Sequence, residues 1–169
     1  YCNFPINTLS MKQIFFFFSF MSCVCGQAQK TSDSLYRHCP VSVVDTLTGN
    51  NYFIERQPAQ VKVYRIGGDL RIVVEQRNQF FTIMFHLRKL KNKAKYTITS
   101  DAAARDEVTA KYSFKSGDDV AYIDVSSGKV ETTYDKVTKL WRVKLTGLIA
   151  NLGESRVSYF KATADILFP

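Results

Sequence analysis

From about Val41 onward the apolar residues recur at every second position, the period of strands with one buried face. In "QFFTIMFHLRK", Phe81, Ile83, Phe85 and Leu87 share one side, and Phe80, Thr82, Met84, His86 and Arg88 share the other. "KLWRVKLTG" sets Trp141, Val143 and Leu145 against Arg142, Lys144 and Thr146. "VSYFKATADILF" sets Phe160, Ala162, Ala164, Ile166 and Phe168 against Lys161, Thr163 and Asp165. Stretches rich in Gly, Asn, Asp and Ser punctuate these runs: "TGNN" at 48–51, "GGD" at 67–69, "RN" at 77–78, "SGDD" at 116–119 and "SSG" at 126–128. Such residues form tight turns. "YDKVTKLW" predicts a hairpin with its loop over Asp135 to Lys139. "SDAAARDE" at 100–107 predicts a helical turn with Ser100 as its N-cap. No longer 3.6-residue period exists, which disfavours helical bundles and βαβ folds. The pattern predicts an all-β domain of about ten short strands, an antiparallel sandwich or barrel, without separating the two.

The N-terminal part reads differently. "MKQIFFFFSFMSCVCGQAQK" at 11–30 opens on Met11 and Lys12, continues through an apolar run from Ile14 to Val24, and reaches Gly26 and Ala28. A basic start, a short apolar run and small residues before a cut make the layout of a secretory signal peptide. The run is well short of the roughly 20 residues a membrane-spanning helix needs. Residues 11–28 are therefore expected to be a leader and residues 1–10 a start assigned too early. Residues 29–40 form a polar tether, and residues 41–169 form one β domain. Lipoprotein processing before Cys23 or Cys25 is the weaker fit, because the residues ahead of each lack the Leu-small-small pattern. The expected destination is outside the cytoplasm, periplasmic or extracellular.

Cleavage changes the composition that matters. Lys12 is the only one of 23 basic residues before Lys30, so the chain from Gln29 keeps 22 against 15 acidic residues. Only Cys39 survives of four cysteines, so an internal disulfide is excluded and the domain must rely on its core. A length of 141 residues from Gln29 suits a single domain.

The ending "GQAQ", the polar tether and the segment "GKVETTYDKVTKLWRVKLTG" resemble small exported β-proteins of Bacteroidota. There a Gly-x-Val-x-x-x-Tyr-Asp strand leads into a hairpin, with a glycine just after the next strand. The matching positions here are Gly128, Val130, Tyr134, Asp135 and Gly147. The resemblance covers the leader and about forty C-terminal residues. It implies compartment and fold but no activity. It also implies glycan attachment at Asp-Ser/Thr followed by an apolar residue, which places candidates at Ser34 in "DSL" and Thr46 in "DTL".

Candidate chemistry is sparse. A hydrolytic triad needs a nucleophile, a base and an orienting acid together. His86 is the only base on the strand scaffold, and no serine carries nucleophile-elbow glycines. His86 reads first as a half-exposed strand residue, and an extracellular hydrolase using it ranks third among the functions considered. His38 beside Cys39 falls short of a zinc set. Asp118, Asp119 and Asp124 read as turn chemistry before they read as a calcium site. No metal or cofactor is expected, and nothing resembles a phosphate-cradling loop.

Charge is the strongest signal outside the core. "HLRKLKNKAK" places Arg88, Lys89, Lys91, Lys93 and Lys95 within eight residues and without an acid. If strands over 79–89 and 94–99 pair, these cations crown one hairpin tip. Such a tip attracts anions, although lysines at a hairpin also serve to discourage edge-to-edge association. The leading expectation is an envelope binding module, without enzymatic activity, that meets an anionic polysaccharide or lipid head group. Nucleic acid is excluded by export and by the lack of aromatics interleaved in the cluster. The alternative is a lipocalin-like carrier, since barrels of eight or more strands enclose small apolar molecules. Thirteen phenylalanines and nine tyrosines fit either a filled or a hollow interior.

Overall fold

A computed structural model of the protein describes residues 39–53, 59–152 and 157–169. The expected leader, the residues before it, Cys23, Cys25, Ser34, His38 and nearly all of the expected tether lie outside the described residues. All described residues fall within one compact unit, Ser32–Pro169.

The unit is all-β. Its strands are β1 (Val41–Asp45), β2 (Gln60–Ile66), β3 (Asp69–Gln76), β4 (Gln79–Phe85), β5 (Ala94–Ile98), β6 (Glu107–Ser116), β7 (Asp119–Asp135), β8 (Leu140–Leu152) and β9 (Val157–Phe168). They form one sheet in the order β1-β9-β8-β7-β5-β6-β4-β3-β2, curled into a half-barrel with β1 and β2 as its edges. All pairings are antiparallel except the short parallel one between β5 and β6. Nine mostly antiparallel strands in one curled, barrel-like sheet bear out the expected all-β sandwich-or-barrel class.

The alternation read from sequence sets which face curls inward. Leu70, Ile72 and Val74 of β3, Phe81, Ile83 and Phe85 of β4, Val143 and Leu145 of β8, and Ala162, Ala164 and Ile166 of β9 are all buried. Each large aliphatic or aromatic side chain so buried contributes about 1.5–3 kcal/mol. Their neighbours Arg142, Lys144, Lys161 and Thr146 lie on the outer face, where Arg142 donates from Nε to Asp165 Oδ1 at 2.7 Å. Two-residue turns close β2–β3 at Gly67–Gly68, β3–β4 at Arg77–Asn78 and β6–β7 at Gly117–Asp118. Asp135 holds the β7–β8 hairpin by accepting from Val137 N and from the Thr138 hydroxyl, both at 2.8 Å.

Three expectations are corrected. Residues 100–106 contain no helix; Glu107 instead accepts from the N–H groups of Ala103 and Ala104 at 3.0 and 3.1 Å, and these bonds hold its carboxyl below the usual range. "SSG" is not a turn, because it lies inside β7, where the register with β8 slips between Val125 and Ser127. Such a bulge bends a strand without ending it. Finally, β4 and β5 do not form a hairpin. β3 and β6 occupy both edges of β4, while β5 pairs with Gly128–Thr132 of β7 and touches β6. The segment 86–93 is thus a crossover past the start of β6.

Gly128 and Gly147 explain the bend. They face each other across β7 and β8, and a Cβ on Gly128 would stand 2.3 Å from Thr146 O and 2.6 Å from the Gly147 Cα. Gly128 also holds φ at +152°, a conformation that L side chains rarely adopt. Before this corner, β7 residues 119–124 pair with β6; beyond it, β7 pairs with β5 and β8. The same corner separates the β6–β7 ribbon from the far end of the β8–β9 ribbon.

Candidate functional site

Two sites stand at opposite ends of the strands. The first is the crossover 86–93. Arg88, Lys89, Lys91, Lys93 and Lys95 are all exposed. Lys95 pairs with Glu131 at 3.2 Å on the neighbouring strand. Arg88, Lys89, Lys91 and Lys93 make no ion pair among the described residues. The segment is nonetheless fixed. The buried Thr132 hydroxyl donates to Lys91 O at 2.7 Å, and Asn92 Oδ1 accepts from Tyr134 N at 2.8 Å. Leu87 and Leu90 pack against the core. A polar crossover anchored at both backbone and side chain holds its cations at defined places.

The anchor has a further result. Tyr134 leads directly into the β7–β8 hairpin, so that hairpin lies beside the crossover. Its Lys136 and Lys139 are exposed, and neither makes an ion pair among the described residues. The cationic end therefore draws on two loops more than forty residues apart in sequence. Sequence reading finds only the first, because Lys136 and Lys139 look like ordinary hairpin residues until the Asn92–Tyr134 contact places them.

The second site lies at the other end, where the two ribbons part. A cavity of about 640 Å³ opens there. Tyr112, Phe114 and Ile123 line one wall, and Val43, Ile149 and Phe160 line the other. Tyr52, Asn78, Gln79, Lys115, Ser116 and Asn151 complete the lining. Gln79 Nε2 donates to Tyr52 O at 2.7 Å and to the Tyr112 hydroxyl at 3.0 Å. Burial raises the Tyr112 pKa, so its phenol stays protonated. Aromatic richness in the sequence is thus divided between a filled core and this open pocket.

The remaining candidates settle into structural surroundings. His86 Nδ1 lies 3.3 Å from Asp69 Oδ1, and no hydroxyl or thiol is bonded to His86 among the described residues. Asp124 pairs with Lys111 at 3.2 Å, and Asp118 sits in the β6–β7 turn. No group of three potential metal ligands occurs among the described residues. Cys39 is fully buried, with Sγ 4.0 Å from Leu167 O. Thr46 is exposed, but its hydroxyl donates to Tyr159 O at 3.0 Å, and Asp45 accepts from the N–H groups of Leu47 and Thr48. No helix among the described residues is long and apolar enough to cross a membrane.

Searches of protein-family models, of curated proteins and of solved structures return no match to the chain.

Proposed function

We propose that the protein is an exported binding module whose cationic end engages an acidic polysaccharide, or a lipid head group of the same chemistry. One observation carries this reading. Among the described residues Arg88, Lys89, Lys91 and Lys93 have no carboxylate partner, yet their loop is pinned to β7 beside Lys136 and Lys139. Solvated lysines that serve only to keep an edge strand from pairing need no such anchoring. The crossover is also not an edge.

Clustered like charges raise the local potential and steer an anion toward the surface. Lysine and arginine then donate charge-assisted hydrogen bonds to carboxylate, sulfate or phosphate oxygens. Screening over about 10 Å at 0.1 M salt makes such binding strongly salt-dependent. The leader-like layout of residues 11–28 and the resemblance to exported β-proteins support a compartment where such polymers occur.

The test is retention on an immobilised sulfated polysaccharide along a salt gradient. A variant with Lys89, Lys91, Lys93 and Lys95 changed to Gln is compared with one changed at Lys115, Lys129, Lys144 and Lys161, which are exposed elsewhere. Early elution of the first variant alone supports a defined site. Equal loss in both would reduce the effect to net charge and overturn the proposal.

A further inference from the structure

The cavity at the opposite end has a composition that points to a ligand unlike a polyanion. Among the described residues its walls are aliphatic and aromatic, its polar lining is amide and hydroxyl apart from Lys115, and no carboxylate lines it. A volume of about 640 Å³ lies within the range of small-molecule sites. The question is what its polar groups ask for.

Gln79 and Tyr112 answer this through their hydrogen-bond inventory. The Tyr52 carbonyl accepts only from a donor, so the Gln79 atom facing it is the amide nitrogen. The same nitrogen spends its second hydrogen on the Tyr112 oxygen. Tyr112 is thereby an acceptor in that bond, and its own O–H has no acceptor among the described residues. Gln79 Oε1 likewise has no donor there. Both residues line the cavity. One donor and one acceptor on adjoining residues are therefore left over beside an apolar pocket.

A hydroxyl satisfies both at once, accepting from Tyr112 and donating to Gln79 Oε1. We propose that the cavity binds one largely apolar molecule carrying a single hydroxyl, a long-chain or ring alcohol. A carboxylate could pair with Lys115, but it has no proton for Gln79 Oε1 and would lose its hydration against Phe114, Ile123 and Phe160. A hydrocarbon fills the space but leaves both polar atoms unmatched.

Fluorescence of N-phenyl-1-naphthylamine, a neutral apolar dye, reports occupancy of the full chain. Displacement by 1-decanol, decanoate and a saturated solution of decane then ranks the polar requirement. Binding of one dye per chain is expected, with decanol displacing it at lower concentration than decanoate. Tyr112→Phe should weaken decanol about fivefold, the scale of one hydrogen bond, while dye affinity holds. Asn151→Trp, at an exposed rim position, should abolish dye binding in a chain whose circular dichroism and melting are unchanged. Absence of saturable dye binding, or dye binding indifferent to Asn151→Trp, would overturn the site. Decanoate binding tighter than decanol, or decanol affinity unmoved by Tyr112→Phe, would overturn the ligand class.

Discussion

Replacing Gly128 by alanine tests the corner that shapes both ends of the molecule. The new Cβ would meet Thr146 O at 2.3 Å and the Gly147 Cα at 2.6 Å, both backbone atoms that cannot rotate away. At φ +152° the alanine is also held in a region disfavoured for L residues, at a cost of about 1–3 kcal/mol. Separating β7 from β8 to admit the methyl adds about 1–3 kcal/mol, as overpacking does elsewhere. Together these give about 2–6 kcal/mol, a large share of a stability of about 5–15 kcal/mol. Gly117→Ala is the matched control, since Gly117 has φ +62° but nothing within 4 Å of an added Cβ. It should cost only about 1 kcal/mol. Urea melts of the two variants, read by circular dichroism, measure the difference directly. If Gly128→Ala is no more destabilising than Gly117→Ala, the close approach of β7 and β8 is refuted.

Further outcomes follow from other contacts. Phe85→Ala should cost about 3–5 kcal/mol in the same melts, because Phe85 is fully buried and packs edge-on to Tyr96 at 5.1 Å. Thr132→Val leaves Lys91 O without its donor; it should cost about 1–2 kcal/mol and weaken polyanion retention with no change of charge. Hydrogen bonds hold the carboxyls of Asp135 and Glu107 below their ordinary values of 3.8 and 4.5. Groups lowered on folding stabilise above those values and lose the contribution as pH falls through the folded pKa. Thermal melts should therefore be flat from neutral pH to about 5 and decline below it, with a smaller decline in Glu107→Gln. A melting temperature that rises on acidification would contradict the sign. The Lys62–Glu75 pair is partly exposed on both sides, and a double-mutant cycle should assign it less than about 1 kcal/mol.

Much of the fold was legible because one-sided burial writes itself into alternate positions. Phe81, Ile83 and Phe85, and likewise Ala162, Ala164 and Ile166, fall inside as their spacing requires. Strand identity is local, whereas strand partnership is not. The spacing of 79–89 and 94–99 suits a hairpin, but β6 offers β4 a longer partner and β5 finds its place beyond the bulge. "SSG" carries the same residues whether it turns a chain or bends a strand, so only the partner strand decides. Gly128 and Gly147 stand 19 positions apart in the sequence, and nothing local says why both are glycines. That reason is their mutual approach across the ladder.

The sites divide in the same way. The run from Arg88 to Lys95 is contiguous and therefore visible, while Lys136 and Lys139 join it only through Asn92 and Tyr134. The cavity has no local signature at all, since it arises where two ribbons diverge and takes its lining from strands on both sides. Aromatic composition alone does not tell a ring in a core from a ring on a wall.

Backbone amide mapping of the labelled protein, titrated with a short sulfated oligosaccharide, tests the cationic end most directly. The amides of Arg88 to Lys95 and of Lys136 to Lys139 should shift together with one affinity that weakens as salt is raised, while Ile123 and Ile149 at the cavity stay unmoved. Shifts scattered over the lysines of the outer face, or confined to the cavity end, would contradict a binding site built from these two loops.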